Sequence, residues 1–156
     1  MKIGDRAVVF LATGAMIGFV PVAPGTFGTL LGIPVAYGLS RVPLSAAAAL
    51  LVAMTAAAAW ISGGAERIFA AKDPGRIVID EIIGMAVTLI GLPFNFLTVC
   101  AGFVVFRCLD IGKPPPIRWF DQRLSGGWGV VMDDVVAGAI ANLLIRIGTS
   151  LFVAYG

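Results

Sequence analysis

Five carboxylate side chains are the residues of this 156-residue chain best suited to carry chemistry. The chain contains only nine Asp and Glu residues, and five of them lie beside apolar segments: Asp80, Glu81, Asp110, Asp133 and Asp134. Carboxylate oxygens are ligands for hard cations, and Mg²⁺ typically takes one or two carboxylates together with water and a substrate phosphate. If the five converge, the sequence predicts a binding site for a divalent cation.

Acidic residues beside apolar segments also have a simpler use as helix caps. A carboxylate in the first turn of a helix is stabilised by the positive end of the helix dipole. Neighbouring residues on a helix point about 100° apart, so capping accounts for only one member of each adjacent pair. The residues alone leave metal coordination and salt-bridged capping both open, and metal coordination is the interpretation that we adopt.

Basic residues surround Asp110 and extend the possible chemistry. Arg107 and Lys113 can either neutralise carboxylates or bind phosphate oxygens, and the residues alone do not separate these uses. Farther along, Arg118 and Arg123 are predicted to face anionic lipid head groups or water, and Asp121 is predicted to pair with one of them.

Composition excludes several classes of site. The chain has no His, which excludes Ser-His-Asp catalysis and His metal ligands. The spacing of Cys100 from Arg107 does not match a cysteine-phosphatase loop, and the net charge of +2 is too small to indicate a nucleic-acid partner. These exclusions leave oxygen donors, chiefly carboxylates, as the groups available for chemistry.

The elements that must position these residues are predicted to be membrane helices. The chain is 59% hydrophobic and 13% charged, compared with about 45 to 50% and about 25% in soluble domains. We therefore expect an all-α fold, a polytopic transmembrane helical bundle forming one membrane-embedded domain over residues 1–156. Residues 7–20 are too short to span and are expected to form an interfacial or re-entrant helix. The five expected spans are residues 26–40, 43–61, 77–90, 96–106 and 135–154.

Charge distribution predicts how the bundle is oriented. Lys and Arg concentrate in residues 1–6, 67–76 and 107–123, so these zones are expected to face the cytoplasm. Asp80 and Glu81 open one span, Asp110 closes another, and Asp133 and Asp134 open the last. All five would then meet at the cytoplasmic face.

Small and conformationally restricted residues give four further expectations. Gly28 and Gly32 have GxxxG spacing, which predicts close helix packing. Thr26 is expected to cap the helix that follows Pro24, and the prolines at 114–116 are expected to make the next segment extended. The glycine-rich segment 126–129 is expected to turn tightly before the last span.

Four segments resemble the phosphatidylglycerophosphatase A family. They are PVAPGTFGTL (21–30), DPGRIVIDEIIG (73–84), FRCLDIGKPPPI (106–117) and GGWGVVMDDVVAG (126–138), in the family's order. The resemblance implies a multi-pass enzyme of the bacterial inner membrane that removes the terminal phosphate of the phospholipid phosphatidylglycerophosphate with Mg²⁺. Leu109 and Val22 depart from the family pattern, and the latter removes one possible phosphate contact.

Combining the resemblance with the residues gives a hypothesis for the site. Mg²⁺ is expected on Asp80, Glu81, Asp110, Asp133 and Asp134, with Asp80, Glu81 and Asp134 catalytic and Asp80 or Glu81 orienting a water. The phosphate is expected to bind Arg107, Lys113 and the helix N-terminus at Gly25 and Thr26. Direct water attack is preferred over an aspartyl-phosphate intermediate. The alternative function is a small membrane cation transporter or channel that uses the acidic cluster.

Overall fold

The fold is a bundle of α-helices. The computed structural model describes the backbone of residues 2–155 and the side chains of these residues except Asp121 and residues 152–155. The described part contains seven α-helices and no strand, which confirms the all-α prediction. In chain order they are α1 (Ile3–Ala12), α2 (Pro24–Leu39), α3 (Leu44–Phe69), α4 (Ile79–Leu89), α5 (Phe96–Gly112), α6 (Ile117–Arg123) and α7 (Gly127–Tyr155).

Helix α4 lies at the centre of the bundle. Every one of its residues is buried or half-buried, and α2, α3, α5 and α7 pack around it. Its last carbonyls would otherwise be unsatisfied in an apolar interior. Asn142 on α7 donates its side-chain N–H to the carbonyls of Thr88 and Ile90, both at 2.9 Å, and Arg146 Nη2 donates to Ile90 O at 3.1 Å. These polar residues of α7 therefore cap the C-terminal end of α4.

Glycines let the neighbouring helices approach α4 closely. A Cβ at Gly28 would lie 2.7 Å from Val78 Cβ, and one at Gly32 would lie 2.6 Å from Met85 Cβ. On the α7 side, a Cβ at Gly138 would overlap the carbonyl oxygen of Gly84. The packing role predicted from the GxxxG spacing is confirmed, and the glycines fix how deeply α2 and α7 seat against α4.

Helix lengths bear on the predicted membrane spans. Among the described residues, α3 is the helix long and apolar enough to cross a membrane. Its 26 residues are about 39 Å long, whereas the 11 residues of α4 reach only about 17 Å, less than a hydrocarbon core of about 30 Å. The polytopic arrangement is therefore not confirmed, and it remains a prediction.

Two predicted segments near the N-terminus differ from the structure. Residues 7–20 do not form one helix, because α1 ends at Ala12 and a left-handed turn leads into a single 3-10 turn at Ile17–Phe19. Helix α2 begins at Pro24 with Ala23 as its N-cap and without a side-chain cap bond. The prediction that Thr26 caps the helix was wrong, since Thr26 lies inside the first turn.

Two segments after α5 also differ from prediction. Residues following the prolines are helical rather than extended, because α6 begins at Ile117 and the Trp119 N–H bonds to Pro116 O at 2.9 Å. The last helix begins at Gly127, eight residues before the predicted start of that span. Of the segment 126–129, which was expected to turn, only Gly126 has a left-handed backbone conformation. A Cβ at Gly127 would overlap the Ala59 carbonyl, so tertiary packing against α3 outweighs the low helix propensity of glycine.

Candidate metal and phosphate site

Three of the five carboxylates converge where α4 and α7 meet. Asp80 and Glu81 lie in the first turn of α4, and Asp134 lies in the third turn of α7. Each offers one carboxylate oxygen such that all three oxygens lie within 4.8 Å of one another. Asp80 is 8% exposed and Asp134 is 3% exposed, while the side chain of Glu81 is 15% exposed. Glu81 is therefore the member of the cluster most open to a ligand.

The packing of α4 on α7 explains the convergence. Gly84 follows Asp80 by one turn, and Gly138 follows Asp134 by one turn. A Cβ at Gly84 would lie 3.0 Å from the Asp134 carbonyl oxygen, so the helix backbones nearly touch just beside the acids. Sequence reasoning missed the role of these two glycines, although their i+4 spacing from the acids was a usable signal.

Helix capping does not account for this cluster. The dipole of α4 can stabilise Asp80 and Glu81, because they lie in its first turn. Asp134 lies seven residues after the first residue of α7, beyond the reach of the dipole. The capping interpretation therefore leaves the burial of Asp134 unexplained.

The buried carboxylate oxygens lack protein donors. In the described part of the chain, Asp80 Oδ1, Glu81 Oε2 and Asp134 Oδ2 are buried and have no hydrogen-bond partner. Burying such oxygens without a donor or cation is costly. Oxygens on opposite sides of a Mg²⁺ ion lie about 4.2 Å apart, so a spread of no more than 4.8 Å needs only a small adjustment. The all-oxygen donor set and its geometry therefore fit a hard divalent cation.

The other two predicted metal ligands are paired with basic residues. Asp110 Oδ2 accepts a hydrogen bond from Arg107 Nη1 one turn earlier on α5, and the Asp110 carboxylate interacts electrostatically with Glu81 and Asp134. Asp133 Oδ2 accepts from Lys113 Nζ at 2.7 Å. Asp110 thus borders the three-carboxylate cluster. Asp133 lies on α7 like Asp134, but its carboxylate bonds Lys113 instead.

Arg107 and Gly25 lie directly against the carboxylate cluster. Arg107 Nη1 is 3.9 Å from Glu81 Oε1. A Cβ at Gly25 would overlap Glu81 Oε1 and lie 3.3 Å from Arg107 Nη1. The N-terminus of α2 therefore faces both groups, with a backbone N–H of the kind that a helix leaves without an internal acceptor. An anion bound there would contact a guanidinium and a helix N-terminus together.

Thr26 and Lys113, the other two predicted phosphate ligands, already have partners within the protein. The Thr26 N–H donates to Ala23 O at 3.0 Å, so this amide is already used within the first turn of α2. Lys113 is the C-cap residue of α5 and is ion-paired with Asp133. The side chain of Asp121, predicted to pair with Arg118 or Arg123, lies outside the described residues.

A family model and two relatives of known description carry the same description. The family model described as phosphatidylglycerophosphatase A matches residues 10–149. A phosphatidylglycerophosphatase A of Escherichia coli strain K12 is 41% identical over 140 residues, covering 88% of this chain and 81% of the relative. One from Haemophilus influenzae is 33% identical over 141 residues, covering 86% and 84%.

A third relative has a different description. A putative phosphatidylinositol-3-phosphatase of Bacteroides thetaiotaomicron is 38% identical over 155 residues, covering 94% of this chain and 96% of the relative. No solved structure matches the chain. These relatives give no support to the transporter or channel alternative.

Proposed function

This chain belongs to the phosphatidylglycerophosphatase A family and is a phosphatase, and from this premise we propose its substrate, cofactor and mechanism. The substrate is phosphatidylglycerophosphate, and the products are phosphatidylglycerol and inorganic phosphate. The cofactor is Mg²⁺. The observation that carries the proposal is the buried set of three carboxylates whose open side meets Arg107 and Gly25.

Asp80, Glu81 and Asp134 are the residues that would hold Mg²⁺. When bound, the ion supplies Lewis-acid polarisation of a phosphoryl oxygen and a more acidic water. Asp110, which borders the cluster, holds Arg107 in place through their ion pair. Our proposed ligand set leaves out Asp133, because its Oδ2 accepts a hydrogen bond from Lys113 Nζ.

Arg107 and the N-terminus of α2 bind the phosphate in this mechanism. The guanidinium donates to two phosphate oxygens, and the Gly25 N–H donates to another. Glu81 lies between these donors and the buried acids, so it orients the attacking water and accepts its proton. The water oxygen forms a bond to phosphorus, and the bond from phosphorus to the glycerol oxygen breaks. The glycerol oxygen leaves as the alcohol after taking up a proton, and the proton that Glu81 accepted from the water balances this uptake.

The substrate also suggests where the enzyme is located. Helix α3 is the candidate span, and it exposes Val52 at 71% and Trp60 at 73% to the surroundings. Exposed apolar surface of this kind suits a lipid environment. The protein is a multi-pass protein of the bacterial inner membrane, with the basic end of the bundle and the site at the cytoplasmic face. The acyl chains of the substrate stay in the bilayer while its phosphate reaches the carboxylates.

A phosphate-release assay on the purified protein tests the proposal. Phosphatidylglycerophosphate, phosphatidic acid and phosphatidylinositol 3-phosphate are compared in mixed micelles, with chelator and with Mg²⁺ restored. The third lipid is included because of the Bacteroides relative. We expect the highest kcat/KM on phosphatidylglycerophosphate and its loss with chelator. Equal rates on all three lipids, or activity unaffected by chelator, would contradict the proposed substrate or cofactor respectively.

A further inference from the structure

An apolar groove runs along the surface between α5 and α7, away from the carboxylates. It encloses about 480 Å³, within the usual range of ligand pockets. Its walls are formed by Leu97, Ala101 and Val105 on α5 and by Leu144, Gly148 and Thr149 on α7. The Thr149 hydroxyl donates to Ile145 O at 2.9 Å within its own helix, so it offers the groove no free donor. Thr98 is the other polar residue of the lining and the rest of the lining is apolar, so the groove is suited to an aliphatic ligand.

The groove lies at a defined distance from the site because α5 and α7 carry residues of both, although the site also includes α2 and α4. Near the carboxylates, Asp110 on α5 lies beside Asp134 on α7. Farther along, a Cβ at Gly102 would lie 3.7 Å from Ile145 Cδ1. The helices are thus antiparallel neighbours over this length. The lining residues of α5 begin about 8 Å from Asp110 along the helix axis and end about 20 Å from it.

A charged pair lies beyond the groove, at the end of α5 and α7 that carries the site, since Lys113 follows Val105 by eight residues, about 12 Å along the helix axis. Asp133 and Leu144 are eleven residues apart, about three helical turns, and therefore lie on the same face of α7. Asp133 is ion-paired with Lys113, whose side chain is 29% exposed. Moving from this pair toward the groove, the residues between α5 and α7 change from charged to the mainly apolar lining of the groove, which is the order of groups in a phospholipid.

From this arrangement we propose that the groove binds one acyl chain of the lipid substrate, with the head group at the Lys113 end and the phosphate monoester at the carboxylates. The inference rests on the proposed function for the identity of the lipid. It assigns to Leu97, Ala101, Val105, Leu144 and Gly148 a role in selecting long-chain lipids over short-chain analogues. A lipid lacking the chain retains only the polar contacts.

Gly148 allows the groove to be filled with little disturbance of the fold. A Cβ at this position meets nothing within 4 Å, so Gly148→Phe can project into the groove without a backbone clash. Gly38 on α2 is a matched control, since its Cβ position is equally open and it lies outside the groove. Comparing Gly148→Phe with Gly38→Phe separates groove filling from the general effect of an added aromatic ring.

The test combines labelling with kinetics. A phosphatidylglycerophosphate analogue with a diazirine at the end of one acyl chain is photolysed with each variant, and labelled peptides are identified. We expect labelling of residues 97–105 and 144–149 in the parent and in Gly38→Phe, competition by unlabelled substrate but not by phosphatidylcholine, and loss of this labelling in Gly148→Phe. Labelling spread over all exposed helices and insensitive to Gly148→Phe would mean bulk lipid contact only and would overturn the proposal.

The kinetic arm compares dipalmitoyl with dihexanoyl substrate. The ratio of their kcat/KM values should fall about tenfold in Gly148→Phe, because the longer chain loses its buried apolar contacts. It should not change in Gly38→Phe, and an unchanged ratio in both variants would overturn the groove assignment. Because labelling does not require turnover, failure of the proposed phosphatase activity would leave the groove result readable.

Discussion

Replacing Asp134 by Asn should remove activity and, in chelator, stabilise the protein. The change keeps the size of the side chain and removes one of three carboxyl groups whose oxygens lie within 4.8 Å of one another. At that separation and an effective dielectric constant of about 20, two ionised carboxylates repel by about 3.5 kcal/mol. Protein relaxation and proton uptake by the crowded acids lower the net effect, so we expect a gain of about 1 to 3 kcal/mol in the free energy of unfolding.

The corresponding shift in melting temperature is measurable. For a protein of this size it amounts to roughly 3 to 10 °C in the presence of chelator. With Mg²⁺ the order should reverse, because the ion stabilises the parent by binding its folded state and binds the variant more weakly. The kcat/KM for phosphatidylglycerophosphate should fall at least about 100-fold, since even residues behind a metal ligand contribute 10- to 100-fold.

Asp133→Asn is the matched control for Asp134→Asn. It makes the same chemical change at the neighbouring position, but it removes an ion-pair partner of Lys113 rather than a member of the cluster. It should lower the melting temperature by a similar amount with and without Mg²⁺. If Asp134→Asn lowers the melting temperature in chelator, or if Mg²⁺ stabilises parent and variant equally, the proposed cation site is refuted.

Three further changes test the neighbouring groups. Gly25→Ala should lower kcat/KM at least about tenfold while far-UV circular dichroism is unchanged, because the new Cβ would overlap Glu81 Oε1. The control Gly38→Ala should keep full activity, and parent-like activity of Gly25→Ala would contradict the geometry of the site. Arg107→Lys keeps the charge but loses the planar donor pair, so KM in the phosphate-release assay should rise about 10-fold or more. An unchanged KM would show that Arg107 does not bind the phosphate. Asn142→Ala removes the side-chain donor to the Thr88 carbonyl and leaves Arg146 to bond the Ile90 carbonyl, so it should cost about 1 to 3 kcal/mol in thermal unfolding, with kcat retained. An unchanged melting temperature would show that the cap is dispensable.

Local sequence patterns predicted the elements better than their ends. The apolar segments correspond to helices α2, α3, α4, α5 and α7, and the GxxxG pair packs against α4 as predicted. The start of α7 was missed because glycine disfavours helices locally, whereas contact with α3 requires glycine at 127. That boundary depends on a neighbour distant in sequence, which no local rule contains.

The sequence by itself determined the chemical inventory of this protein: a helical fold, carboxylates with no His or reactive Cys arrangement, and basic residues beside them. Tertiary structure decided which acids act together. Asp133 and Asp134 are adjacent in sequence, yet one pairs with Lys113 and the other joins Asp80 and Glu81. The physical reason is that successive helix residues point about 100° apart, so their partners depend on how α7 is rotated against α4. That rotation is set by the contact between Gly84 and Gly138, which forms only when the helices pack.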